Sequence, residues 1–263
     1  MKKRTSSDEH FKVYVPARLE STRLPGKVLL IWKGKTILQH VYDKAVASGA
    51  KEVVIATDSQ EIVEVATGFG ATVELTRKGI ESGTDRVASA ASSRGEDPNT
   101  VIVNVQGDEP LMPAAVISQV ARAVVDGARN CDIATACEPL EMHQLTDPNV
   151  VKLTRDVSQR ALYFSRAPIP WPREGFDGKI SAQDVGFDFS VFRKHVGIYS
   201  YRKSYLDEFV KMRRGLLEEI EMLEQLRALE NGSVIRCVDA CADCGFGVDT
   251  QADFDRLRSS VSN

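Results

Sequence analysis

Short apolar runs alternate with amphipathic stretches through the first half of the chain. Residues 11–15, 52–56, 72–75 and 101–105 are brief, rich in β-branched side chains and bounded by polar or turn residues, which predicts strands. Residues 37–47, 59–69, 83–93 and 114–125 lie between or after them and predict helices. Strand and helix in repetition predict an α/β fold, a Rossmann-like doubly wound, mostly parallel sheet with helices on both faces. Ligands of such sheets collect at the carboxyl ends of the strands, so the loops after the first and fourth strands matter most.

The rhythm changes near Cys131. Segments 132–137, 150–154 and 161–165 read as short strands without long helices between them, an antiparallel extension of the sheet. Residues 171–194 mix Pro, Gly and aromatic residues without a period and are expected to project as a loop. Leu216, Ile220, Leu223, Leu226 and Leu229 stand at helical spacing and predict one helix over 216–231, stopped by Asn231 and Gly232. A strand over 235–238 and a closing helix over 250–258, its start marked by Asp249 and Thr250, complete the pattern.

Composition narrows the class. A chain of 263 residues suffices for one large α/β domain but not for a second full-sized one. No apolar run approaches the ~18 residues of a membrane span. A formal net charge of -3 with no basic stripe favours a nucleotide over a nucleic acid as partner. Residues 1–10 are polar and lack the apolar core of a secretory signal, so a flexible tail and a cytoplasmic location are expected. The five cysteines argue against a disulfide framework. Cys241 and Cys244 have the spacing of a metal or redox pair but lack a second pair of ligands, and incidental thiols are the alternative.

The chemistry-bearing residues sit where the sheet would place a ligand. The first strand empties into a loop carrying Arg18, Arg23 and Lys27, cations suited to a triphosphate, at a spacing that matches neither a Walker loop nor a dinucleotide turn. Asp108, in Gln106-Gly107-Asp108-Glu109-Pro110, follows the fourth strand, where a carboxylate facing a phosphate holds Mg²⁺; Glu109 is placed to share that task, and closing the turn before Pro110 is the plainer role. Asp249 is a second candidate ligand or a helix N-cap. Ser82, Gly83 and Arg86 open a helix, either as an ordinary helix start or as a place where a base or ribose approaches the backbone. Arg166 and His195, at strand edges, suit an acidic second substrate, although a lone histidine also serves packing. Glu221 and Gln225, four residues apart on one helix face, suit sugar hydroxyls or belong to a solvated acidic face.

In their order and spacing these segments resemble the 3-deoxy-manno-octulosonate (Kdo) cytidylyltransferases. The resemblance runs from about Phe11 to Arg258 and is carried by Pro16-Ala17-Arg18, Arg23-Leu24-Pro25-Gly26-Lys27, Ala56-Thr57-Asp58, Ser82-Gly83-Thr84-Asp85-Arg86, the Asn104 to Pro110 turn, Leu162-Tyr163-Phe164-Ser165-Arg166, His195-Val196-Gly197-Ile198-Tyr199, Leu223-Glu224-Gln225-Leu226-Arg227 and Gly247-Val248-Asp249-Thr250. It implies transfer of CMP from CTP to the anomeric hydroxyl of Kdo, with release of pyrophosphate, for lipopolysaccharide biosynthesis. A related acid sugar, such as the 8-amino analogue or a sialic acid, is the alternative acceptor.

By the same resemblance Ala17, Arg18, Arg23, Lys27, Ser82, Gly83, Arg86 and Asp108 would hold the nucleotide. Asp108 and Asp249 would hold Mg²⁺, with Arg18 and Lys27 stabilising the leaving pyrophosphate. Gln106, Arg166, His195, Tyr199, Glu221 and Gln225 would cup the sugar, Arg166 meeting its carboxylate. A single domain over 11–263 is implied, with 158–200 as a sugar-binding and dimerisation segment of a homodimer. Val28, Thr36 and the run from Cys241 to Phe246 depart from the family's usual residues.

Overall fold

Alternation within the strands decides how the layers form. In the computed structural model, which describes residues 11–126, 131–173 and 189–260, the first strand is β1 (Phe11–Ala17). Its Val13 and Val15 enter one apolar core and Tyr14 the other. In β4 (Glu52–Thr57) Val53 and Ile55 join the first core and Val54 and Ala56 the second. In β6 (Val101–Asn104) Val103 and Ile102 divide in the same way. Strands with two apolar faces need a helical layer on each, which is the expected doubly wound arrangement.

The first layer holds α1 (Ile37–Ala47), α2 (Gln60–Gly68) and α4 (Ala114–Asp126), which bury Leu38, Ile62 and Ile117 among other side chains in the first core. The second holds α3 (Gly83–Ser93) and α5 (Lys203–Phe209), with Val87 and Leu206 in the other core. Side chains fix several helix starts: Thr36, Ser59 and Ser82 each accept a backbone N–H as N-cap. A short hairpin, β2 (Ile31–Trp32) with β3 (Lys35–Thr36), leads into α1.

The sheet runs β11-β7-β10-β6-β1-β4-β5, where β5 is Thr72–Leu75, β7 Ile133–Pro139, β10 Arg193–Arg202 and β11 Ile235–Asp239. Pairs β6-β1, β1-β4, β4-β5 and β11-β7 are parallel, and β10 runs antiparallel between β6 and β7. The antiparallel extension is the pair β8 (Lys152–Arg155) and β9 (Ala161–Ser165), attached to the start of β10, while β7 itself lies in the main sheet. His195 is therefore not at a strand edge: it sits in a strand paired on both sides, opposite Cys137. The projecting loop expected over 171–194 falls largely on residues 174–188, outside the described residues.

The one helix expected over 216–231 is two, α6 (Leu216–Glu221) and α7 (Gln225–Glu230), with Met222 between them in the left-handed region at φ 52. Tertiary bonds override the periodic pattern. Arg166 Nε donates to the Glu221 carbonyl at 2.7 Å, and Glu221 Oε2 accepts from the Arg166 backbone N–H at 2.9 Å. Leu216 and Ile220 are left exposed at 73% and 79% while Leu226 is fully buried, so the two turns do not share a face. Glu221 thus ends one segment and Gln225 begins the next, which corrects their expected pairing on one helix face. Among the described residues no helix is long and apolar enough to cross a membrane.

Candidate active site

The loop after β1 turns back on itself. The Gly26 N–H donates to the Leu19 carbonyl at 2.9 Å, and Gly26 sits at φ 70, which brings Lys27 inward. The turn after β6 presses against the same strand end: a Cβ on Gly107 would lie 2.8 Å from the Pro16 carbonyl oxygen, so only glycine allows the approach. Val248 N–H donates to the Asp108 carbonyl at 2.8 Å and draws the segment before the last helix, α8 (Gln251–Ser259), to the same place. Thr250, not Asp249, caps α8, in a reciprocal box with Asp253. Asp249 is left to face the site.

These constraints converge on Lys27. Its ammonium donates to Asp249 Oδ1 at 2.6 Å and to Asp108 Oδ2, while Arg23 pairs with Asp249 Oδ2 at 2.9 Å. Burial works to lower the Lys27 pKa, but the charges and hydrogen bonds of Asp108 and Asp249 outweigh it and the net shift is upward. At Asp249 burial works upward, and Lys27 with Arg23 overcomes it, leaving the carboxyl below its ordinary value. Glu109 behaves oppositely. Burial, then the nearby charges of Asp108 and Asp249, push its pKa up to about 8 against the pull of Lys27, and its Oε2 is buried without a hydrogen bond.

A cavity of about 330 Å³ opens over this cluster and is lined by all eight expected nucleotide residues together with Gln106 and Asp249. Arg18 is at its exposed rim, donating to the Glu81 carbonyl at 3.3 Å. Arg86 is only 3% exposed, and its guanidinium is committed to Thr76, Asp58 and the Ile80 carbonyl. It braces the cavity wall.

Beyond Gln106 lie the residues expected to meet a sugar. The Gln106 amide donates to Asn104 Oδ1 at 3.3 Å. The Tyr199 hydroxyl, the Gln225 Nε2 and the neighbouring Glu224 Oε1 are buried and lack hydrogen-bond partners, so three polar atoms await a polar ligand. Arg166 and Glu221 are spent on each other and on main chain: the guanidinium donates to the carbonyls of Glu221 and Pro148, and Glu221 accepts from Ser165 and the Arg166 N–H. The structure thus shows these two bracing the break at Met222.

His195 packs its ring against Phe164 and Tyr199 and bonds Thr135 Oγ1 through Nε2 at 3.0 Å. The Thr135 hydroxyl donates to the Ile198 carbonyl, so the histidine nitrogen carries the proton toward it. Burial pushes the His195 pKa from 6.5 down to about 3. The unfolded chain takes up a proton near 6.5 that the fold refuses until about 3, so stability is complete above 6.5 and is lost as pH falls through that window. Between pH 7.5 and 5 this group should cost ~2 kcal/mol. Urea midpoints at the two pH values should show that loss in the wild type and a smaller one in His195→Gln; an equal loss in both rejects the buried neutral imidazole.

The cysteine pair does not converge on a site. Cys241 is exposed, Cys244 is buried with its thiol pushed well up by burial and Glu138, and no group of three or more His, Cys, Asp or Glu side chains placed to hold a metal ion occurs among the described residues. Thr84 and Glu224, not singled out from the sequence, join the two halves of the site through a 2.5 Å hydrogen bond. Only their membership in the Ser82 to Arg86 and Leu223 to Arg227 segments signalled them.

The family described as cytidylyltransferase matches residues 13–236. A 3-deoxy-manno-octulosonate cytidylyltransferase of Thioalkalivibrio sulfidiphilus is 47% identical over 94% of this chain and 97% of its own. One of Cellvibrio japonicus is 47% identical over 95% and 97%. The solved structure of a CMP:2-keto-3-deoxy-manno-octonic acid synthetase complexed with CTP superposes with a TM-score of 0.85 at 34% identity, over 96% of this chain and 98% of that one. With such likeness over nearly its whole length, the chain belongs to the 3-deoxy-manno-octulosonate cytidylyltransferases.

Proposed function

We propose that this chain transfers CMP from CTP to the anomeric hydroxyl of Kdo, releasing pyrophosphate. The observation that carries the reading is the Lys27 bridge between Asp108 and Asp249 at the floor of a cavity rimmed by Arg18 and Arg23. Cations and carboxylates at one strand end are what a triphosphate with its divalent ion requires.

The reaction needs no protein nucleophile, because the sugar hydroxyl attacks the α-phosphorus and the bond to the β-phosphate breaks. Arg18, Arg23 and Lys27 bind the triphosphate and neutralise the charge that grows on the departing pyrophosphate. The turn at Ser82 and Gly83 offers the helix N-terminus of α3 to the nucleotide. Tyr199, Gln225 and Gln106 orient the sugar, so that catalysis is largely positioning.

Mg²⁺ is the ion proposed for the pair Asp108 and Asp249. The donor set fits: two carboxylates already converge on one cation, and Mg²⁺ completes its shell with water and phosphate oxygens rather than with a full protein cage. When bound, the ion supplies charge neutralisation at the phosphates and acidifies the attacking hydroxyl. A cytoplasmic homodimer serving lipopolysaccharide synthesis belongs to the same reading, and the exposed Leu216, Ile220 and Met222 offer apolar surface for a second copy.

Pyrophosphate release across a panel of nucleoside triphosphates with Kdo, 8-amino-Kdo and sialic acid tests it. CTP with Kdo should rank highest. A better rate with another acid sugar would reassign the acceptor, and no release with any pair would defeat the reading.

A further inference from the structure

Two of the cysteines meet inside the second core. Cys137 on β7 and Cys237 on β11 are both fully buried there. In the parallel β7-β11 pair Cys137 stands opposite Asp239 and Cys237 opposite Thr135. The two cysteines are thus offset by two residues on neighbouring strands and share one face of the sheet. Their side chains lean together, the Cys237 thiol donating to the Cys137 sulfur.

Charge gathers beside the pair. Cys137 Sγ lies 3.8 Å from Asp239 Oδ1, but that carboxylate is already taken. It accepts from Arg155 Nη2 at 2.6 Å and from Arg193 Nε at 3.1 Å. Arg155 Nη1 also donates to the Cys237 carbonyl at 2.8 Å. Two guanidiniums against one carboxylate leave positive charge in excess next to the sulfurs.

Spacing decides which chemistry the pair admits. An offset of about 6.6 Å along strands about 4.8 Å apart puts the Cα atoms about 8 Å from each other, beyond a disulfide without backbone movement. Sulfurs that touch across such a gap are close to the separation of two ligands on one ion, about 4.6 Å for bonds of about 2.3 Å. Among the described residues no third His, Cys, Asp or Glu is placed to build a larger donor set, and thiolates alone select soft ions. We propose that Cys137 and Cys237 form a two-coordinate site for a soft monovalent ion of the copper(I) class, which clamps β11 to β7. Each sulfur gives its proton to solvent as its bond to the ion forms, and no oxidant or reductant is consumed. The net negative charge of two thiolates on one such ion then faces Arg155 and Arg193. Two buried cysteines also fill a core as small apolar side chains, and that role alone predicts no retained ion. The site shares no residue with the nucleotide or sugar residues, so it stands or falls apart from the proposed reaction.

The test removes the more accessible thiols first. In the full chain carrying Cys131→Ser and Cys241→Ser, anaerobic titration with Cu(I) against the chelator bicinchoninate should show one ion held per chain. X-ray absorption should show two sulfur neighbours and no nitrogen or oxygen. Adding Cys137→Ala or Cys237→Ala should weaken retention at least about a hundredfold, the upper end of what loss of a mere outer-shell partner costs. Adding Cys244→Ala should leave retention unchanged. No retained ion, retention that survives both the Cys137 and the Cys237 variant, retention lost with Cys244, or a nitrogen or oxygen neighbour would each overturn the proposal. The spectrum and the stoichiometry are read with the pair intact, so they decide the matter even where an alanine variant fails to fold.

Discussion

Replacing Asp108 by asparagine should lower kcat at least about a thousandfold, the loss expected when several kcal/mol of transition-state charge stabilisation disappear. Asparagine keeps an oxygen that can accept from Lys27, so the bridge to Asp249 and the turn at Gly107 retain their shape. What goes is the negative charge that makes this position a ligand for a hard cation. The side chain is about a quarter exposed, so the lost ion pair should cost only about 1 kcal/mol of stability. Pyrophosphate release at saturating CTP and Kdo, set beside a thermal melt, separates the two effects. If Asp108 only closed the turn before Pro110, turnover would persist near the wild-type rate.

The position of Asp108 was legible in the sequence because a buried β-branched strand must end where the sheet meets solvent, and the loop that follows has nowhere else to go. Local reading also gave α1, β5 and α3 at their observed bounds, since short β-branched runs bounded by polar or turn residues, and the amphipathic stretches between them, are local signals. Asp249 was ambiguous for a local reason as well: in Asp249-Thr250 either side chain can cap. The choice fell to Thr250, whose box with Asp253 uses residues inside the helix, while Lys27 and Arg23 hold Asp249 outward.

Long-range choices were not legible. Leucines at helical spacing over 216–231 carry no sign that Arg166, 55 residues earlier, will take the Glu221 carbonyl and stop the helix. Nor does the run around His195 reveal that its strand returns between β6 and β7, because strand order is set by which edges remain unpaired. The cations of the first loop were visible, but not that Lys27 would spend its charge on both metal-binding candidates. That last feature bears most on how the site is loaded.

Lys27→Met should therefore act in opposite directions on ion binding and on turnover. In the free enzyme the ammonium occupies the space between Asp108 and Asp249, and any divalent ion must displace it. Removing it leaves the two carboxylates facing each other with no cation between them, and like charges at such range favour capture of one. Mn²⁺ binding without nucleotide, followed by electron paramagnetic resonance, should tighten at least about tenfold, since one partly buried ion pair no longer competes. Turnover should nevertheless fall about a hundredfold or more, because the cation facing the leaving pyrophosphate is gone. Asp249 should also lose part of the downward shift of its pKa, so its share of the stability lost on acidification below the ordinary Asp pKa should be smaller in the variant than in the wild type. Unchanged or weaker Mn²⁺ binding would show that Lys27 does not guard the carboxylates, whatever happened to the rate. Tighter binding with lost turnover would mean that the lysine delays the metal until the phosphates of the substrate draw it away, and then serves them.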